Sequence, residues 1–317
     1  MGPRGSGKTV LLRAVADAAE EAGWVSVAVT AKQGMLAEII ELIGARADHV
    51  LTPESRSIIT SVRFGPVAVG RELSYVDPSW RFKLMQIVGE LNEQGIGLLV
   101  TIDEVDPFCD ELIEFIDIFQ HFVSEDRDVA MLLGGLPSQV STLFMDKHVS
   151  FVRRSFQRSL TSIPIVEVEA AIQRTIRENG REITPGALVL AAESTGGFAF
   201  AIQLMGYYLW RDSDPDAPMG EEDVRRAVRR SQGELERSVF TPTLRDLTNR
   251  EEQYLRAMAL DDGPSSTSDV AKRMDISMTN ASNLRRRLLE HGLIREVRMG
   301  QVEFDMPLIQ AYLQGCA

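Results

Sequence analysis

Cys109 and Cys316 are the only two cysteines in 317 residues, and they form no CxxC pair. A disulfide-stapled scaffold and a thiolate metal centre are therefore excluded. Histidine is almost as scarce: His49, His121, His148 and His291 are scattered, with no second ligand at helical spacing, so no histidine metal site is expected. Long apolar runs are missing too. Leu98–Ile102 and Met131–Leu136 are the longest, far below the roughly 20 residues a membrane span needs. The first residues, Met1-Gly2-Pro3-Arg4-Gly5, hold no apolar stretch of a secretory leader. A reduced, cytoplasmic chain with no membrane partner is the expectation. Basic charge is also in deficit, with 34 Lys and Arg against 46 Asp and Glu, a net charge of −12. That balance excludes indiscriminate coating of nucleic acid, while leaving room for one basic face.

What is present is ordinary globular composition, 44% apolar and 25% charged, over a length that predicts two or three domains. Apolar positions Val10, Leu11, Ala14, Val15, Ala18 and Ala19 fall on one face of a helix over Thr9–Ala22, which Gly23 ends. A short strand at Trp24–Val29 and a helix over Gly34–Ile43 follow. Ser61–Val69, with Val62, Phe64, Val67 and Val69 alternating around Gly65-Pro66, reads as broken extended structure. A helix over Trp80–Gln94 leads into Leu98–Ile102, which has the bulk and length of a strand covered on both faces. Helix Pro107–Val123, strand Val129–Leu133 and a Gly-Gly-Leu-Pro loop repeat the alternation, which indicates an α/β layer on a parallel sheet. After about Pro164 the pattern is helical, over Val166–Asn179, Pro185–Ser194, Ala199–Arg211 and Glu221–Ser238. A last unit reads as helices Asn249–Leu260, Ser268–Met274 and Thr279–His291, with a hairpin of Leu293–Val297 and Val302–Phe304 around Gly300.

Two motifs carry chemistry. Gly2-Pro3-Arg4-Gly5-Ser6-Gly7-Lys8-Thr9 satisfies GxxxxGK[ST] at every fixed position and opens straight into a helix. Glycines let backbone N–H groups turn inward as an anion nest, and the helix N-terminus adds positive partial charge beneath phosphates. Lys8 is then expected on the β- and γ-phosphates of ATP, and the Thr9 hydroxyl on Mg²⁺. The second motif is the acidic run Asp103-Glu104-Val105-Asp106 at the end of Leu98–Ile102. Asp103 at the strand's carboxyl end suits the metal, and Glu104 suits orientation of an attacking water. Asp106 fits a supporting acceptor or helix N-cap better than a ligand.

In this order, Gly-Pro-Arg-Gly-Ser-Gly-Lys-Thr (a Walker A motif), Ile-Asp-Glu-Val-Asp (Walker B), a helical lid and a C-terminal winged helix resemble the AAA+ and STAND-related P-loop ATPases. The layout is most similar to replication initiators of the origin-recognition type. The resemblance implies a P-loop ATPase domain over 1–163, a helical lid over 164–243 and a winged helix-turn-helix domain over 244–317. It also implies an arginine finger acting in trans, for which Arg154 in the cluster Arg153-Arg154 and Arg158 is the choice, and hence a homo-oligomer. Two positions depart from the family. Where a polar γ-phosphate sensor is usual, the strand ends Leu133-Gly134-Gly135, and Ser138 is the nearest substitute. Where the lid brings an arginine or a Gly-x-Pro, this chain has Gly196-Gly197-Phe198-Ala199-Phe200. Slow or partner-dependent hydrolysis is the consequence. The strand that normally precedes the phosphate loop is also expected upstream of Gly2 in the natural product, since Leu98–Ile102 and Val129–Leu133 are apolar throughout and call for neighbours on both edges.

In the last unit, Val270, Ala271 and Met274 are expected to pack on Ile276, Ala281, Leu284, Leu288 and Leu289. Ser277, Thr279, Asn280, Asn283, Arg286 and Arg287 are then left outward on the recognition helix. Short polar groups suit base edges and arginines suit phosphates. Thr248–Ala317 holds nine basic and ten acidic residues, but Lys272–Arg298 holds seven basic against three acidic, so this face is locally positive. The expectation is an ATP-hydrolysing switch that controls binding of double-stranded DNA. The alternative is a STAND-type regulator with little turnover, whose winged helix docks a protein.

Overall fold

The computed structural model describes residues 1–53, 55–56, 79–147 and 149–315. Ser61–Val69, His148 and Cys316 lie outside them. The chain forms two compact units, one of Met1 with Lys8–Arg158, the other of Gly2–Gly7 with Ser159 onward.

In the first unit the elements run α1 (Lys8–Glu21), β1 (Val25–Thr30), α2 (Met35–Ala47), α3 (Ser79–Glu93), β2 (Leu98–Asp103), α4 (Asp110–Ser124), β3 (Val129–Leu133) and α5 (Pro137–Met145). A 3₁₀ turn over Ser150–Arg154 follows. The three strands are parallel in the order β1-β2-β3, with Thr30 opposite Asp103 and Ile102 opposite Leu133. The all-apolar run of β2 is buried along its length, as its composition requires. Around it pack Ile39, Ile40 and Ile43 of α2, Leu84, Ile87 and Leu91 of α3, and Leu112, Phe115, Ile116 and Phe122 of α4. Asn92 pins the strand starts, its Nδ2 donating to Ile96 O and its Oδ1 accepting from Asp128 N. Gly97 must be glycine: a Cβ there would meet the Trp24 ring at 2.4 Å. Glu111, at the start of α4, accepts from Gly34 N at 2.7 Å and Leu36 N at 3.0 Å. A carboxylate thus meets the electropositive N-terminus of α2.

One expectation is corrected here. The buried residues of α1 are Leu12 and Ala16, not the Val10–Leu11–Ala14–Ala18 stripe, and Val10 and Leu11 are 58% and 45% exposed. Leu12 and Ala16 stand at i, i+4, the narrow seam that reaches the sheet, with Val15 and Ala19 half-buried beside it. In the sheet, β2 has a strand on each side, while β3 pairs on one side only among the described residues. All five of its residues are half-buried.

In the second unit, α6 (Ile165–Glu178), α7 (Pro185–Ser194), α8 (Ala199–Asp212) and α9 (Glu221–Leu235) enclose a core of Val168, Ile172, Ile176, Ala191, Met205, Leu209 and Val224. A π turn over Glu236–Phe240 and the short α10 (Thr241–Arg245) continue from α9. Then come α11 (Asn249–Met258), β4 (Ser265–Ser266), α12 (Thr267–Met274), α13 (Met278–Glu290), β5 (Ile294–Arg298), β6 (Gln301–Phe304) and α14 (Ile309–Leu313). The strands form an antiparallel sheet in the order β4-β6-β5. Val270, Ala271, Ala281 and Leu288 share a buried cluster with Tyr254, Leu255, Ile294 and Val302, and Met274, Ile276, Leu284 and Leu289 pack on it. Thr248 and Glu251 cap α11 reciprocally, while Ser266 and Ser277 cap α12 and α13. Ser277 is therefore a cap, accepting from Asn280 N, rather than a member of the outward face. Asp275, at φ 51°, makes the left-handed turn between α12 and α13.

Candidate functional site

Lys8 and Thr9 open α1, and Asp103 closes β2. The Thr9 hydroxyl donates to Asp103 Oδ2 at 2.5 Å across 94 residues of sequence. The other carboxylate oxygen, Oδ1, accepts from Glu104 N at 2.9 Å, and the Asp103 carbonyl accepts from Ala31 N. Glu104 is exposed and sits at φ 52°, a left-handed backbone that costs a residue with a Cβ roughly 1–2 kcal/mol. Such strain at the carboxyl end of a central strand marks a position held for more than packing. Asp106 accepts from Phe108 N at 3.0 Å and so shapes the turn before α4, whose N-cap is Cys109. That buried cysteine is a boundary residue of the core, as expected.

At Gly134, which follows β3, there is no room for a side chain. Its N–H donates to Ile102 O and its carbonyl accepts from Val105 N, so the backbone continues alongside Asp103. A Cβ there would lie 2.9 Å from Leu12 Cδ1 and 3.0 Å from Asp103 Oδ1. Only glycine fits, because the Asp103 carboxylate and Leu12 of α1 already fill the space.

The loop Gly2–Gly7 belongs to the second unit. Gly5 and Gly7 have φ of 76° and 88°, the left-handed geometry of an anion nest. Ser6 Oγ is enclosed and has no hydrogen-bond partner. Arg4 Nη2 pairs with Asp246 Oδ2 at 3.0 Å, both half-exposed. Phe200 N donates to Gly5 O at 3.1 Å. Asp246 carried no sequence signal, and Phe198 and Phe200 stood out only as a segment without the expected arginine; each partner lies about two hundred residues away and no local pattern pairs them.

These donors fit a magnesium nucleotide. Thr9 and Asp103 offer two hard oxygens of the kind Mg²⁺ takes. Gly5, Gly7 and the unsatisfied Ser6 hydroxyl suit the phosphates.

Of the arginine cluster, Arg153 is engaged: Nε donates to Phe144 O at 2.6 Å and Nη2 to Asp146 O, capping the carbonyl end of α5. Arg154 is exposed, and Arg158 lies over the Phe156 ring at 4.5 Å. On α13, Thr279, Asn280, Asn283, Arg286 and Arg287 are all exposed, on one helix as expected. Arg286 pairs with Glu290 at 3.4 Å, and Arg287 approaches buried Glu251 at 3.8 Å. Burial pushes the Glu251 carboxyl up, but bonds from Thr248 together with nearby His291 and Arg287 leave it below its ordinary value. Arg287 therefore faces a charged partner inside the protein.

A parallel α/β layer with a phosphate-loop motif at the first turn of α1 and an acidic pair at the end of the central strand is an α/β P-loop fold. Residues 237–313 match a family model described as a domain of unknown function (DUF8462). No curated protein matches the sequence. Among solved structures, the chain is similar to the ORC2 protein of Aeropyrum pernix in ADPNP–ADP complexes, at 18% identity and TM-score 0.49, over 99% of this chain and 87% of that one. It is similar to Cdc6p of Pyrobaculum aerophilum at 16% identity and TM-score 0.47, over 100% and 86% of the two chains. The ORC1 protein of Aeropyrum pernix in complex with DNA gives 16% identity and TM-score 0.44, over 99% and 84%. No helix among the described residues is long and apolar enough to cross a membrane.

Proposed function

We propose that the protein is an AAA+-like molecular switch that binds and hydrolyses MgATP and couples its nucleotide state to double-stranded DNA through a C-terminal winged helix. The observation that carries the nucleotide reading is the Thr9–Asp103 contact, which joins two motifs distant in sequence into one hard-oxygen pair. When bound, Mg²⁺ neutralises the charge that develops on the phosphates. The chain's own residues do the rest. The Gly5 and Gly7 N–H groups and the Ser6 hydroxyl would meet the phosphate oxygens, and the Lys8 ammonium would balance their charge at the head of α1. Thr9 and Asp103 hold the ion in register. Glu104 would accept a hydrogen bond from the attacking water and so make its oxygen a better nucleophile toward the γ-phosphate.

Arg154 is the arginine left to act across a subunit interface, since Arg153 is committed to α5. A finger in trans exists only in an oligomer. Specific ATPase activity is expected to climb with protein concentration, and Arg154→Ala to flatten that climb while ATP binding is kept. Activity that is independent of concentration would return Arg154 to the solvated surface.

For the DNA reading, the domain over 244–317 supplies two helices, a left-handed turn and an antiparallel hairpin, the parts of a winged helix, and α13 exposes short polar groups followed by arginines. Binding measured over a series of salt concentrations is expected to give a steep slope. Arg286→Ala and Arg287→Ala should each reduce it by about 1. One observation favours protein docking instead: both arginines already have carboxylate partners, Glu290 and Glu251. No DNA retention at low salt, with a stable protein partner on pull-down, would select the STAND-type reading.

A further inference from the structure

The phosphate-binding loop is gripped by residues that the family pattern does not place there. A Cβ on Gly5 would lie 2.7 Å from Phe198 Cζ and 3.1 Å from Phe200 Cβ; one on Gly7 would lie 3.3 Å from Ala199 Cβ. Gly5 O accepts from Phe200 N at 3.1 Å. Three consecutive residues at the start of α8 thus close one side of the loop, through ring contact, van der Waals contact and a backbone hydrogen bond. Their position is itself fixed. Gly197, at φ 70°, exchanges close contact with Ile163, whose N–H donates to Gly197 O at 2.8 Å, and Gly197 N donates to the buried Thr195 hydroxyl.

Phe198 has a second set of neighbours. It is 2% exposed and belongs to the buried cluster that holds Leu235, Phe240, Tyr254, Leu255 and Leu293. One ring therefore touches the nest glycine on one side and the core beneath α11 and α13 on the other. Close-packed interiors pass on small displacements, because a buried ring has no vacant volume to absorb them. The Arg4–Asp246 pair runs parallel to this path, as Asp246 lies in the turn between α10 and α11. Both of its groups are half-exposed, so it contributes little energy and serves to keep register.

We propose that Phe198-Ala199-Phe200 senses the loop, transmitting the conformation that Gly5 and Gly7 adopt around phosphate into the core under α11 and α13. In this chain it takes the place of a charged lid residue. The inference rests on the MgATP reading above. Phe198 is a positioning residue: it acts through the glycine backbone and through the core.

The test is amide hydrogen exchange on the full chain with and without MgATP, read at α11 and α13, with ATP titration on the same samples. In the wild type, MgATP is expected to slow exchange there by about fivefold or more, and Phe198→Leu to bring the change within about twofold of none while still binding ATP. Phe198→Met, which keeps volume without a ring, serves as the second variant if leucine lowers the melting transition. A wild type that binds ATP with no slowing at α11 and α13 overturns this inference alone. A Phe198 variant that binds ATP and keeps the full slowing does the same. A wild type that binds no ATP removes the MgATP reading and this one together.

Discussion

Lys8→Ala is expected to weaken MgATP binding by roughly 10²- to 10⁴-fold, since stripping one partner from a desolvated charge pair costs about 3–5 kcal/mol. Lys8 is the first residue of α1, so its ammonium stands where the helix N-terminus already favours negative charge. The two contributions are distinct: alanine preserves the helix and its free N–H groups but removes the mobile full charge. Some residual affinity is therefore expected from Gly5, Ser6 and Gly7. Calorimetric titration of ATP into wild type and variant, with melting curves to confirm folding, measures the difference. Equal affinity in the two proteins would mean that the octapeptide is a glycine-rich turn and nothing more.

Glu104→Gln is expected to hold ATP and to hydrolyse it roughly 10²- to 10⁴-fold more slowly, the range a positioned general base supplies. The substitution is isosteric, leaving the φ 52° backbone and the Glu104 N to Asp103 Oδ1 bond in place. Only the ability to polarise water is removed. Asp103→Ala should behave in the opposite way. It removes an oxygen that contacts Thr9 and so weakens Mg²⁺-dependent binding itself. Single-turnover hydrolysis alongside equilibrium binding separates the two residues. Unchanged turnover in Glu104→Gln would take Glu104 out of the mechanism.

How far the sequence revealed this arrangement depended on where each residue's partners lie. The strand β2 and helices α2, α3 and α4 were legible because their own side chains dictate full coverage: Leu98–Ile102 can be nothing but buried, and Ile39, Ile40 and Ile43 define one face. The face of α1 was not legible. Its apolar stripe is wide, and which part is covered depends on the sheet it meets; the structure selects Leu12 and Ala16. Short elements escaped for a related reason. The two residues of β4 and the five of α14 are held by tertiary pairing, Ser265 with Val302 and Ile309 within the core, not by local periodicity. At the site, Lys8, Thr9, Asp103 and Glu104 were legible because phosphate and magnesium chemistry demands those types at that spacing. Gly134 read only as a missing sensor, because the Asp103 and Leu12 atoms that forbid a side chain there are brought to it by the fold. Asp246 was invisible for the same reason, and Phe198 and Phe200 read only as a segment without the expected arginine, their contact with Gly5 being made by the fold. Arg153 and Arg154 are adjacent and chemically identical, and only the carbonyls of Phe144 and Asp146 tell them apart.

The nucleotide site stands or falls on whether Thr9 and Asp103 hold a metal on a phosphate. Isothermal titration of ATP into the wild-type chain, run with Mg²⁺ and again with the metal chelated, addresses that directly. Saturable binding with one ATP per chain, strongly weakened on chelation and further weakened by Asp103→Ala, is the predicted result. Folded protein that takes up no ATP at any magnesium concentration, or that binds equally well without the metal, would contradict it.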